Sequence, residues 1–177
     1  MNVRMRRRVA AVLLLLALLL PQAVQADSAS ITCYGEDLTS EQYTLVLDLV
    51  GADPATDTLI PVTHEDEVSL LGDIVPAEKI GSRSLSSARV TLAQEGAGIA
   101  VTVYNIDWVT PQMYASALST AGVQDAVIVV AAPVSVSGTA ALAGILKAYE
   151  SAAGTELSAA AKAAPGSEMV LTGDLAD

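Results

Sequence analysis

Phenylalanine is absent from this chain of 177 residues, and cysteine, histidine and tryptophan occur once each. A lone cysteine, Cys33, excludes an intramolecular disulfide and any cysteine-rich metal site. A lone histidine, His64, confines any Ser–His–Asp arrangement to one imidazole. Neither Ser135 nor Ser137 stands in the frame of a nucleophile elbow, and the glycine spacing and lysine of a phosphate-cradling P-loop are missing. No motif calls for a metal or a cofactor, and none is expected. Basic residues are scarce, 9 Lys and Arg against 20 Asp and Glu. That balance repels nucleic acid and anionic lipid, so neither is expected as a partner. With so few aromatics, the core must be built from Val, Leu, Ile and many alanines, which favours close packing of small side chains.

What is present begins with a leader. Arg4, Arg6, Arg7 and Arg8 form a cationic start, Val9 to Leu20 is an unbroken aliphatic run, and Pro21 closes it. Val24-Gln25-Ala26 supplies small or tolerated residues before a cleavage point at Asp27, the pattern of a secretory signal peptide. The apolar run is shorter than the roughly 20 residues a membrane span needs, so no stable span is expected after cleavage. The sequence therefore divides into a signal peptide at 1–26, a single α/β domain at 27–165 and a polar, acidic tail at 166–177. The expected location is secreted or extracytoplasmic. Four arginines leave with the leader, so only Lys79, Arg83, Arg89, Lys147 and Lys162 remain to face 20 acids.

The domain is organised around Asp125 to Gly154. Ala126 to Ala132 is a continuous apolar run with a β-branched centre, which predicts a strand buried on both faces and ended by Pro133. Ser137 is the expected N-cap of the next helix, where Leu142, Ile145, Leu146 and Tyr149 form one stripe, and Gly154 closes it. Upstream, Thr39 and Gln42 form a capping box, with Gly51 as the stop. Leu59 to Val62 predicts a short strand, and Thr63 caps a short helix ended by Gly72. Residues 74–87 read as an irregular connection. Ala88 to Ala93 and Ile99 to Tyr104 alternate around a glycine-rich turn, which predicts a β-hairpin. Thr110-Pro111 opens a helix with Tyr114, Ala117, Leu118 and Ala121 on one face, and Thr155 caps a last helix to Ala164. The expected fold is α/β: a small mixed sheet, made of a β-hairpin plus a βαβ unit, covered by several helices.

Several longer stretches carry a resemblance. They are Tyr34-Gly35-Glu36-Asp37-Leu38, Thr63 to Glu67, Glu78-Lys79-Ile80-Gly81-Ser82-Arg83, Tyr104 to Thr110 and Ala131 to Leu142. Together they resemble the DUF1002 family, exported proteins of Gram-positive bacteria without an established activity. The resemblance implies an address and a fold class but no chemistry. It also implies a further helical part beyond a chain of this length, so the tail at 166–177 reads as the start of such a part. His64 stands where the family pattern has asparagine, which argues against a required imidazole.

Two strand-end loops are the candidate ligand-binding sites. In the first, Ser135, Ser137, Gly138 and Thr139 combine hydroxyls with the amides of a helix start, which suits a phosphate or carboxylate. In the second, Asn105, Asp107 and Trp108 follow a strand end, where loops of α/β sheets carry function. Glu65, Asp66 and Glu67 match no calcium loop and read as ordinary partners of a helix N-terminus. No catalytic residue is assigned. The expected function is non-catalytic binding of a small ligand or an envelope protein. The alternatives are a hydrolase using Ser135 or Ser137, for which a serine–lysine pair with Lys79 or Lys147 stays open, and a structural domain that docks a helical segment.

Overall fold

A computed structural model describes residues 30–73, 75–120 and 122–153. The predicted signal peptide, the polar tail, the helix stop expected at Gly154 and the helix expected from Thr155 lie outside the described residues. The elements are β1 (Ser30–Gly35), α1 (Ser40–Val50), β2 (Thr58–Val62), α2 (His64–Leu71), α3 (Ala77–Ile80), β3 (Ser87–Leu92), β4 (Ile99–Ile106), α4 (Pro111–Thr120), β5 (Ala126–Val136) and α5 (Thr139–Ala153). The five strands form one mixed sheet in the order β2-β1-β3-β5-β4. Both parallel pairs, β1 with β2 and β4 with β5, are joined through a helix, as parallel neighbours require.

Local chemistry sets the helix ends as the sequence predicts. Thr39 and Gln42 close a complete capping box on α1, and Gly51 ends that helix in the left-handed conformation. Thr63 and Asp66 do the same for the start of α2. The Thr110 hydroxyl accepts from the Met113 amide, with Pro111 as the first residue of α4. The connection at 74–87 contains one further turn of helix, α3.

The sheet is α/β and mixed, but the predicted hairpin does not form. β3 and β4 are antiparallel arms that never pair, because β5 lies between them, antiparallel to β3 and parallel to β4. The entry of β5 is visible at the turn itself. Ala93 donates its amide to the Asp125 carbonyl, Gly98 donates to the Asp125 carboxylate, and Ala126 donates to Gly98. A strand as apolar as β5 gains most from ladders on both edges, and that demand outweighs the local turn signal. β1, which the sequence reading leaves without a structure, fills the remaining interior position between β2 and β3.

The main core lies between one sheet face and the helices α4 and α5. Ile128 and Val130 are fully buried there with Leu118, Leu142 and Ile145. α5 comes closest at Gly144, where an added Cβ would sit 2.7 Å from Cys33 Cβ and 2.9 Å from Val62 Cγ2. The alanine-rich helix is thus matched to the sheet by small residues. On the other face α1 covers Ala131 and Val129 with Val46 and Val50. It does not reach Val127, which is 48% exposed, so the expectation of a strand buried on both faces holds only for the middle of β5, from Ile128 to Ala132. Beyond α1, the Asp57 carboxylate is buried on that face. It accepts from Thr32 and from two nitrogens of Arg89, and the Arg89 bonds hold its carboxyl below the usual range.

Pro133 does not end β5. The strand runs on to Val136, but its pairing jumps from Tyr104↔Ala131 to Ile106↔Val136. Residues 132–135 therefore bulge away from the ladder, and the missing N–H of Pro133 falls where no partner requires it. Asn105 allows the jump by taking a positive φ of 59°, and its Nδ2 donates to the Ala132 carbonyl at 2.8 Å.

An interior β5 makes a direct prediction. Ile128→Ala should cost about 2–5 kcal/mol in chemical denaturation, as expected for a large residue truncated in a closed core. A loss under about 1 kcal/mol would contradict the placement of this strand.

Candidate functional site

The site begins where β5 turns into α5. Gly138 has a φ of +97°, a conformation that side chains disfavour, and an added Cβ would collide with the Tyr114 hydroxyl and the Ile106 side chain. Tyr114, fully buried in α4, donates its hydroxyl to the Gly138 carbonyl at 2.8 Å. This bond fixes where α5 starts. The predicted N-cap role of Ser137 is not what the structure shows, because the helix begins at Thr139 and Gly138 occupies the residue before it. The Ser137 hydroxyl instead faces the Thr139 hydroxyl at 3.2 Å. The amide of Ala141 is satisfied from outside the helix by Ser86 Oγ at 2.8 Å. A helix start leaves its first amides without intrahelical acceptors, so those of Thr139 and Ala140 remain available to a ligand.

A cleft of about 340 Å³ opens at this helix start. Most of its lining comes from three places. The β5–α5 turn contributes Ser137, Gly138 and Thr139, the end of β4 contributes Asp107, and α3 with its following loop contributes Lys79, Ser82 and Arg83. Of the four described cations, Arg89 is paired with Asp57 and Lys147 with Asp66. Lys79 and Arg83 have no carboxylate partner among the described residues, and both line the cleft. Lys79 is steadied by Trp108, its Nζ standing 5.3 Å from the ring centre.

At the inner wall lies Glu67, in the first turn of α2 and only 1% exposed. Thr139 donates its hydroxyl to Glu67 Oε2 at 2.8 Å, while Oε1 has no hydrogen-bond partner. Burial pushes the carboxyl up to about 7, helped by the charges of Asp37 and Asp66 and opposed by the bonding hydroxyls of Thr139 and Ser84. The Ser84 hydroxyl lies near enough to act on Glu67 but closes no bond of good geometry. Glu67 is therefore not the solvated partner of a helix N-terminus that its place in an acidic run suggests.

The predicted site residues separate on this geometry. Asp107, Ser137, Gly138 and Thr139 meet in the cleft. Ser135 is exposed on the bulge and donates to Asp107 Oδ2 at 2.7 Å, which orients that carboxylate. Asn105 is committed to the bulge, and Trp108 acts through Lys79. Glu67, Ser82, Arg83 and Ser86 join the site without having been singled out for it, and Lys79, considered only as a base for a serine, joins it as a cation. The stretches Thr63 to Glu67 and Glu78 to Arg83, already distinctive in the sequence, were the available signal for all of these but Ser86. His64 heads α2 and does not line the cleft. Cys33 is a core residue whose thiol donates to the Gly144 carbonyl and is pushed up to about 12 by burial. Among the described residues, no three or more His, Cys, Asp or Glu are grouped to hold a metal ion, and no helix is long and apolar enough to cross a membrane.

A family model described as "Protein of unknown function (DUF1002)" matches residues 34–177. The chain belongs to the DUF1002 family. Within that match lie both sequence stretches of the cleft, around Glu67 and around Lys79 and Arg83. The chain is also 41% identical over 165 residues to a Bacillus subtilis (strain 168) protein, "Uncharacterized protein YpuA". That alignment covers 92% of this DUF1002 chain and 57% of YpuA. No solved structure matches.

The buried carboxyl of this DUF1002 domain has a consequence for stability. Between about 4.5, its ordinary value, and about 7, Glu67 binds a proton in the folded state that the unfolded chain has lost. Its contribution therefore weakens as pH rises through that window and is fully unfavourable above it. Glu67→Gln should be more stable than wild type at pH 8 by about 1–3 kcal/mol, with the difference shrinking toward pH 5. Urea titrations at both values check this, and an equal difference at the two would show an ordinary carboxylate.

Proposed function

We propose that this protein is an exported, non-catalytic binding domain of the cell envelope or extracellular space, and that its cleft takes a small anionic ligand. The observation that carries the reading is electrostatic. In so acidic a chain, the two described cations left without carboxylate partners line the same cleft as the start of a 15-residue helix. Arg83 offers a planar fork of donors, Lys79 a point charge, and Thr139 and Ala140 the free amides of a helix start. Hydroxyls of Ser82, Ser86 and Ser137 add further donors, and the acids Glu67, Glu78 and Asp107 share the same lining. Catalysis by Ser135 or Ser137 has less support, since Ser135 is engaged with Asp107 and Ser137 with Thr139, and no imidazole stands beside either.

Thermal melts and calorimetry with millimolar inorganic phosphate and small carboxylates test the reading. A raised midpoint is expected. Arg83→Ala should weaken binding about tenfold, the scale of one charge-assisted contact. Ser137→Asp should abolish binding while leaving the melt without ligand nearly unchanged, because Ser137 does not cap the helix. If no anion raises the wild-type midpoint, the cleft does not bind anions.

Export rests on the leader. Produced in a Gram-positive host, the mature protein should begin at or near Asp27, as N-terminal sequencing would detect. Recovery of intact Met1 to Asp177 in the membrane fraction alone would contradict cleavage.

A further inference from the structure

Glu67 is the part of the cleft that a general anion site leaves unused. Amides, guanidinium and ammonium accept any oxyanion, because each of them donates, and the carboxylates of Glu78 and Asp107 share this cleft with them. A buried carboxyl oxygen in the same lining changes the rule. Glu67 is 1% exposed, its Oε2 already accepts from Thr139, and its Oε1 lacks a partner. The groups that act on it or share its cleft are Asp37, Asp66, Glu78 and Asp107 as acids and Lys79 and Arg83 as bases. Lys147, from α5, is paired with Asp66. No described cation is therefore paired with Glu67 itself.

From this juxtaposition we propose that the cleft selects an oxyanion whose dianion takes up a proton close to neutral pH, a phosphate monoester, with Glu67 as a ligand-binding residue that shares one proton with it. This rests on the anion-binding reading above and names its ligand class. One proton between the free carboxyl oxygen and a phosphate oxygen satisfies both atoms, whichever of them holds it. Sulfate and phosphate diesters take up no proton near neutral pH, whereas a monoester dianion does at about pH 6, so an ionised Glu67 repels only the former outright. A protonated Glu67 is an O–H donor, a form that neutral pH keeps only in part. The cleft volume, about 340 Å³, lies within the range of small-molecule pockets and leaves room for an organic group beyond the phosphate itself.

Calorimetry on the full-length mature chain at pH 7.5 distinguishes the cases, with glycerol phosphate, inorganic phosphate, dimethyl phosphate and sulfate as probes. The monoester and inorganic phosphate should bind at least about tenfold more tightly than sulfate or the diester, the scale of one hydrogen bond to a charged group. Tighter binding of glycerol phosphate than of inorganic phosphate identifies the monoester as the better ligand, whereas the reverse order overturns the monoester assignment. In Glu67→Gln the amide can donate to either kind of anion, so the gap should narrow to about threefold or less. Wild type binding sulfate and phosphate alike would overturn proton sharing while leaving the anion site intact. So would a Glu67→Gln variant that keeps the full gap. Failure of all four probes would overturn the anion site and this proposal together.

Discussion

The cleft depends on how β5 hands the chain over to α5. β5 is held on both edges, by β3 and β4, and its last residues are displaced by the bulge at residues 132–135. Shortly afterwards the helix must begin, under a turn that Gly138 alone can make without striking Tyr114. The Tyr114 hydroxyl then pins the Gly138 carbonyl, in a site so buried that its phenol is pushed well above its usual range. Fixing that turn places Thr139 against Glu67 and the helix start in the cleft that Lys79 and Arg83 also line. A shift of the helix start by one residue would separate all of these groups.

The distribution of charge follows from the same arrangement. Two described cations are committed to structural carboxylates, Arg89 beneath the strands and Lys147 on the flank of α5. The remaining two converge on the cleft. Against them stands a carboxyl that the fold keeps buried at a cost in stability, with one oxygen satisfied and the other not. Burying such a group without a cation is unfavourable. A local rule broken without a structural gain is the usual mark of a functional position.

Much of this architecture was legible because it is local. The caps at Thr39, Thr63 and Thr110, the stripe on α5 and the apolar run of β5 each act through residues a few positions apart. What could not be read was set at long range. The turn between β3 and β4 is real, yet its arms are parted by a strand that begins at Ala126. β1 carries a mixed Ser-Ile-Thr-Cys-Tyr pattern, and both faces of it are buried only because α5 and the Asp57–Arg89 pair close over them. Pro133 looked like a terminator, since a bulge has no signature in the apolar pattern. Glu67 was hidden for the same reason: in an acidic first turn it resembles its neighbours, and its burial comes with a threonine 72 residues away.

The central claim is that Glu67 is a buried, protonatable carboxyl that meets the ligand. Carbon-13 NMR of the glutamate side-chain carboxyls, assigned with Glu67→Gln, tests it most directly when pH is titrated with and without phosphate. The account predicts one carboxyl titrating near pH 7, absent from the variant and displaced by phosphate but not by sulfate. A Glu67 resonance that titrates in the ordinary glutamate range and ignores both anions would contradict it.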